Sequence, residues 1–112
     1  KRGVCQDFAH LEIACLRAMG IPAKYVSGYM ETLPPPGQEK LVGADATHAW
    51  IAYFSPEEGW IEFDPTNDVR ASNKHIVTAE GRDYYDVTPV KGVIFGGGKR
   101  PILEISVDVS RV

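Results

Sequence analysis

Residues 3–22 of this 112-residue chain read GVCQDFAHLEIACLRAMGIP, and this stretch decides the fold. Between Cys5 and Met19 there is no glycine or proline, and most of the residues are good helix formers. Gly20 suits the position after a helix, where the backbone turns left-handed, and Pro22 cannot continue a helix. The sequence therefore predicts a helix over residues 5–19, with Cys5 in its first turn.

Apolar residues recur along this predicted helix at the spacing of one face. The stripe comprises Phe8, Leu11, Cys15 and Met19. Because Ile13 and Leu16 widen it further, we expect a largely buried helix. Cys15, in the middle of the stripe, is expected to be a buried small apolar residue.

Five segments after the helix are rich in β-branched and aromatic residues and are bounded by turn residues, which predicts strands. The predicted strands are residues 23–30, 47–54, 60–64, 75–79 and 102–109. One helix followed by antiparallel strands is typical of the α+β class. A length of 112 residues with 44% hydrophobic residues fits one domain that covers residues 1–112.

The composition excludes several classes of partner. Twelve basic and 15 acidic residues give a net charge of −3, and no charge run resembles a nucleic-acid or membrane-surface site. No apolar stretch approaches the roughly 20 residues that span a bilayer. The glycines at 96–98 lack the spacing of a phosphate-binding loop, and no residues have clear metal-ligand spacing, so neither a cofactor nor a metal is expected. Two cysteines are too few for a disulfide framework, which favours free thiols and a cytoplasmic location.

Three residues combine into a candidate catalytic group: Cys5 at a helix start, His48 near a strand start and Asp64 at the end of the next strand. If residues 55–59 connect the two strands, Asp64 lies opposite Trp50, and a two-residue register shift places it opposite His48 instead. Side chains alternate along a strand, so both registers put His48 and Asp64 on one face. The sequence therefore predicts that these two side chains meet.

These residue types suit nucleophilic catalysis. A thiolate is the reactive form of cysteine, and a helix N-terminus and a neighbouring imidazolium both favour it. A carboxylate beside the imidazole fixes its tautomer and favours its charged form. The backbone N–H of Cys5 is available to stabilise an oxyanion. The expected chemistry is acyl transfer from an amide or peptide carbonyl through a thioester.

Four runs together strongly resemble the core of the transglutaminase-like superfamily. They are residues 3–11 (GVCQDFAHL), 16–29 (LRAMGIPAKYVSGY), 45–50 (DATHAW) and 59–66 (GWIEFDPT). Residues 81–87 and 89–93 look like the bacterial branch, in which the core follows a separate N-terminal β-rich region. The resemblance implies a papain-like fold, with the helix of the nucleophile packed on an antiparallel sheet. It also implies that an N-terminal part of this fold, and an upstream domain, belong to a longer parent chain.

The resemblance assigns roles residue by residue: Cys5 is the nucleophile, His48 the general base and acid, and Asp64 the orienting acid. Gln6, Trp50 and Trp60 are candidate substrate-binding residues, although both tryptophans also fit core positions that face each other or the helix. His75 is expected to be structural or exposed.

The family includes protein crosslinkers, peptide hydrolases, amidases and inactive binding modules, so its fold does not determine the substrate. We favour peptidase or amidase activity on a peptide or protein amide, because crosslinking requires a channel that shields the thioester from water. Protein-glutamine crosslinking and a non-catalytic peptide-binding role are the alternatives. The oligomeric state is not predicted.

Overall fold

The computed structural model describes residues 3–32, 36–38, 46–87 and 108–110. It contains one α-helix, five strands and a short 3₁₀ helix. They are α1 (Cys5–Ala18), β1 (Ala23–Met30), β2 (Ala46–Ser55), β3 (Gly59–Asp64), β4 (Val69–Arg70), β5 (His75–Gly81) and the 3₁₀ helix Tyr84–Asp86. Residues 102–107 of the strand predicted at 102–109 lie outside the described residues. None of the helices in the described part has the length and apolar character that crossing a membrane requires.

The five strands form one antiparallel sheet in the order β4-β3-β2-β1-β5, and α1 packs on β1 and β2. The predicted α+β class, a helix on an antiparallel sheet, is confirmed. The two-residue strand β4 lies in a segment that the sequence indicated as polar loop. Its exposed residues, Val69 and Arg70, carry no burial pattern that would mark a strand.

Both ends of α1 are defined by local hydrogen bonds. At the start, the backbone N–H of Val4 donates to the Asp7 carboxylate at 3.1 Å, so an acidic side chain satisfies a helix-terminal donor. At the end, Gly20 adopts a φ of +79°, its N–H donates to the carbonyl of Arg17, and the N–H of Ile21 donates to the carbonyl of Leu16. This left-handed glycine cap stops the helix just before β1.

The prediction that α1 is largely buried is wrong for the described residues. Ala9 and Ile13 are its buried residues, and the predicted apolar stripe faces outward. Cys15 is exposed instead of buried, and Met19 is 74% exposed. The small side chain of Ala9 lets the helix approach the sheet on a different face from the stripe. Periodicity identifies an apolar face but does not say which face meets the sheet.

The sheet buries apolar residues on both faces. The face toward α1 packs Ala9 and Ile13 against Tyr25, Ala49 and Ile51. On the other face, Val26, Trp50 and Ala52 form a second buried cluster. Successive residues of β2 therefore alternate between the two clusters, as the pleat of a strand requires.

The close approach of β5 to β1 depends on Gly28. A Cβ atom at this position would lie 1.9 Å from the carbonyl oxygen of Ile76 and 3.0 Å from the Trp50 ring. The register of β1 with β5 shifts between Ser27 and Gly28, as at a β-bulge. Gly28 also pairs with His48 on β2, so the absence of its side chain brings β5 close to the strand that carries His48.

We predict that Gly28→Ala lowers the free energy of unfolding by about 1–3 kcal/mol, because the added methyl group forces backbone apart. Urea unfolding followed by circular dichroism measures this change. Thr78→Ala is the matched control in the same strand pair, since it removes only an exposed hydrogen bond to the Ser27 carbonyl. Equal stability of Gly28→Ala and the unsubstituted protein would contradict the proposed constraint.

Candidate active site

The β2–β3 hairpin brings His48 and Asp64 together. Phe54 pairs with Trp60 and Ile51 with Phe63, which is the first of the two registers considered from the sequence. His48 and Asp64 consequently lie on a diagonal of one sheet face, and His48 Nε2 is 2.8 Å from Asp64 Oδ2. The pair forms because the strand period places both side chains on the same side.

The Asp64 carboxylate is fully buried and accepts hydrogen bonds at both oxygens. Oδ1 accepts from the backbone N–H groups of Thr66 and Asn67, at 3.0 and 3.2 Å. Oδ2 accepts from Asn67 Nδ2 at 2.8 Å and lies 2.8 and 2.9 Å from Nε2 of His48 and His75. Burial by itself raises the pKa of Asp64, but the hydrogen bonds from His75, Asn67 and His48 outweigh it and lower the pKa. Asp64 is therefore held as an anion.

Cys5 is the first residue of α1, and its half-buried thiol contacts His48. The hydrogen bond with His48 lowers the pKa of Cys5, and the backbone amides of Ala49 and Gln6 act in the same direction against the effect of burial. The hydrogen bond with Cys5 in turn raises the pKa of His48, and Asp64 raises it further, while burial opposes both. Both shifts favour a thiolate beside an imidazolium.

Cys5 and His48 line a cavity of about 250 Å³. The cavity wall also includes Gln6, Tyr25, Ser27, Thr47, Ala49 and Tyr84. Gln6 thus lies where a substrate-binding residue is expected, next to the thiol. Burial, together with the charge on Cys5, raises the pKa of Tyr25 to about 12, so its hydroxyl is a neutral group in this wall.

Tyr84 reaches the cavity through the segment at residues 81–87, for which the sequence suggested no role. Asp83 accepts a hydrogen bond from the N–H of Tyr85 at 3.0 Å and so caps the 3₁₀ helix. The N–H of Tyr84 donates to His10 of α1 at 3.3 Å, and the Tyr84 ring meets Tyr25 edge to face. This segment fixes one wall of the cavity against the helix of Cys5.

The two predicted substrate-binding tryptophans lie outside this cavity. Because Ala49 and Ile51 face α1, Trp50 points to the opposite face, where it is fully buried and donates to Glu62 at 2.8 Å. Trp60 is 48% exposed and packs against Phe54 with ring centroids 5.6 Å apart. Neither tryptophan faces the helix, and Trp60 lines a separate open groove.

Sequence reasoning missed His75, whose side chain is 2% exposed and joins Asp64. From the sequence, His75 was expected to be structural or exposed, and no role in the site was assigned to it. Its position depends on the pairing of β5 with β1, where His75 pairs with Met30. No counting rule within the β2–β3 hairpin indicates this pairing. The signal available in the sequence was that a histidine begins the strand predicted at residues 75–79. In the structure this strand pairs with β1, and β1 is the neighbour of β2, which carries His48.

Ligand-type atoms of His48, Asp64 and His75 lie within 4.8 Å of one another, a grouping of the kind that holds metal ions. In this structure both imidazole Nε2 atoms are at hydrogen-bonding distance from the same carboxylate oxygen. We therefore treat the three side chains as a hydrogen-bonded group.

Comparison with known proteins places these residues in a family. Residues 1–65 match the model of the transglutaminase-like superfamily. Uncharacterised proteins of Mycobacterium tuberculosis and Mycobacterium leprae are 49% and 45% identical over 97% and 99% of this chain. The chain spans only 36% and 38% of their lengths. A protein-glutamine gamma-glutamyltransferase of Pseudomonas aeruginosa is 43% identical over 62% of this chain and 10% of its own length. No solved structure matched. The chain belongs to the transglutaminase-like superfamily, a family that in general performs cysteine-based acyl transfer.

Proposed function

We propose that Cys5, His48 and Asp64 are the catalytic triad of an enzyme that cleaves amide or peptide bonds. The observation that carries this proposal is the continuous set of contacts from the Cys5 thiol through His48 to the buried Asp64. Helix position, hydrogen bonding and charge all favour the thiolate at one end of this set. The carboxylate at the other end holds the imidazole in place.

In the proposed reaction, the Cys5 thiolate attacks the amide carbonyl and forms a tetrahedral intermediate. His48 gives its proton to the leaving amine as the carbon–nitrogen bond breaks, which leaves a thioester on Cys5 and a neutral imidazole. A water molecule then attacks the thioester while His48 takes its proton, and the acid product leaves as the thiolate re-forms. Asp64 remains ionised throughout and orients His48.

The backbone N–H of Cys5 is our candidate for stabilising the oxyanion. As the first residue of α1, Cys5 has an N–H that cannot pair within the helix. The same helix end carries partial positive charge, which opposes the negative charge that develops on the carbonyl oxygen. One such donor typically contributes about 3–4 kcal/mol to a transition state.

Hydrolysis is our first choice for the second step, and transfer to an amine is the second candidate. Among the described residues, the cavity at Cys5 is open to solvent, so water has access to a thioester formed there. The 43% identity to the Pseudomonas protein-glutamine gamma-glutamyltransferase favours transfer. The two activities share the acylation step and differ only in which nucleophile reaches the thioester.

We also propose the cytoplasm as the location, because the free thiols of Cys5 and Cys15 suit a reducing compartment.

One prediction of the proposed function concerns the thiolate. At about pH 6 an ordinary thiol is less than about 1% ionised, so in the full-length protein iodoacetamide should modify Cys5 at least about tenfold faster than Cys15. Cys15 is a fair internal reference because it is exposed. Mass spectrometry of the two peptides gives both rates. His48→Ala should reduce the Cys5 rate to that of Cys15. Equal rates in the unsubstituted protein would refute the activated thiolate.

The second prediction separates the candidate functions. We expect the full-length protein, given a glutamine-containing peptide and a labelled primary amine, to release ammonia or cleave the peptide faster than it incorporates the amine. Cys5→Ala should abolish every product, because the thioester cannot form.

Faster amine incorporation than hydrolysis would replace our first choice by protein-glutamine transfer. An absence of all products, with Cys5 no more reactive than Cys15, would instead favour a non-catalytic binding module.

A further inference from the structure

His75 contacts the candidate triad at Asp64 Oδ2, the same oxygen that His48 contacts. It is the first residue of β5, and its Nε2 lies 2.9 Å from Asp64 Oδ2. Its other ring nitrogen, Nδ1, accepts a hydrogen bond from the backbone N–H of Ser72 at 3.1 Å. The side chain is 2% exposed, so water does not compete for either nitrogen.

These two contacts assign the tautomer of His75. A nitrogen that accepts a hydrogen bond from an N–H group carries no proton, so Nδ1 is unprotonated. The ring proton is therefore on Nε2 and points to Asp64. His75 is a neutral donor fixed at both ends, whereas His48 has one nitrogen at Asp64 and the other available to the Cys5 thiol.

We propose that His75 is a positioning residue, which keeps the Asp64 carboxylate ionised and oriented so that Asp64 holds His48 toward Cys5. This inference rests on the proposed function of the triad. His75 itself does not reach the reacting atoms: among the described residues, those that line the Cys5 cavity do not include it. Its effect on catalysis passes through Asp64.

The surroundings of Asp64 explain how the hydrogen bond from a second imidazole, that of His75, supports the carboxylate. Burial opposes ionisation of Asp64, and the acid Glu12 on α1 lies near enough for the charge of Asp64 to act on it. Burial and the charges of Asp68 and Asp64 raise the pKa of Glu12, which shows that the acids interact. Among the hydrogen bonds that keep Asp64 ionised, the one from His75 has the largest effect, ahead of Asn67 and His48.

The packing of the His75 ring suggests variants that separate the effect of its hydrogen bond from the effect of its shape. The His75 ring meets Trp50 edge to face, with centroids 4.9 Å apart. His75→Phe keeps an aromatic ring against Trp50 but removes the N–H. His75→Gln places an amide N–H near the position of Nε2 and is the conservative variant. A positioning role through hydrogen bonding predicts opposite outcomes for the two.

The test is the pH dependence of Cys5 alkylation in the full-length protein, with Cys15 as the reference. Loss of the N–H raises the pKa of Asp64, so the carboxylate takes up a proton at higher pH and stops supporting the imidazolium. We expect His75→Phe to slow Cys5 alkylation at least about tenfold at about pH 5 and to have little effect above about pH 8. We expect His75→Gln to stay within about threefold of the unsubstituted protein throughout. Superimposable profiles for His75→Phe and the unsubstituted protein would overturn the proposal, as would equal losses in both variants.

A second measurement does not depend on the reactivity of Cys5. The carboxyl carbon of Asp64, followed by NMR during a pH titration, should show a higher midpoint in His75→Phe and an unchanged midpoint in His75→Gln. If Cys5 is unreactive but the Asp64 midpoint shifts, the triad function fails and the role of His75 stands. If Cys5 is reactive but the midpoint does not move, the role of His75 fails alone.

His75→Ala keeps the proposal testable if the phenylalanine variant does not fold. His75 lines an open groove of about 390 Å³ on the face of Trp60 and Glu62, so added imidazole has a route to the vacated position. We expect added imidazole to restore the Cys5 alkylation rate of His75→Ala at about pH 5 to within about threefold, as a replacement donor would. No recovery, in a variant whose circular dichroism matches the unsubstituted protein, would count against the hydrogen bond.

Discussion

The structure of the candidate site depends on one buried carboxylate. Asp64 has no exposed surface, yet its pKa is lowered rather than raised, because the hydrogen bonds from His75, Asn67 and His48 outweigh the effect of burial. With two backbone amides, five N–H groups donate to its two oxygens. A buried charge without such partners costs several kcal/mol, and each lost partner of a buried group typically costs about 1–3 kcal/mol. Two of the donors are backbone amides of the turn that follows β3, so the turn and the anion stabilise each other. The anion is thus part of the fold as well as of the site.

The donors to Asp64 come from separate parts of the chain, which the sheet brings together at one end. β2 supplies His48, the turn after β3 supplies Asn67, and β5 supplies His75. β5 is not next to β3 in the sheet, since β2 and β1 lie between them. Its first residue nevertheless reaches Asp64, at the end of the sheet where β3 finishes. Gly28 allows this by letting the backbone of β5 lie close to β1.

The sequence predicted correctly the features that depend on residues close to one another in the chain. The hairpin placed His48 and Asp64 on one face under either register, because parity survives a two-residue shift. Gly20 and Pro22 indicated the end of α1 by the same kind of local rule. The face of α1 that meets the sheet could not be predicted in this way. Six apolar positions around the helix gave no unique choice, and the packing of Ala9 and Ile13 decided it.

The contribution of His75 and the wall formed by Tyr84 are nonlocal, and the sequence pattern does not encode them. Both depend on β5 returning to pair with β1, between 45 positions (Met30 with His75) and 56 positions (Tyr25 with Gly81) away in the chain. The orientation of Trp50 is a related case. Its parity with His48 was known from the sequence and places both on the same sheet face, but only His48, two residues nearer the start of β2, lines the Cys5 cavity.

The acid side of the candidate triad, formed by Asp64 and His75, differs in burial from the thiol side, formed by Cys5 and its cavity. On the acid side, Asp64 and the side chain of His75 are buried, and hydrogen bonds hold both oxygens of the Asp64 carboxylate. On the thiol side, Cys5 is half-buried and opens into a cavity whose wall is assembled from α1, β1, β2 and the 3₁₀ helix. His48 joins the two parts, because its Nε2 is 2.8 Å from Asp64 Oδ2 and its side chain also lines the cavity beside Cys5. We therefore expect substitutions at Gln6 or Tyr84 to act on substrate choice, and substitutions at Asp64 or His75 to act on the reactivity of the thiol itself.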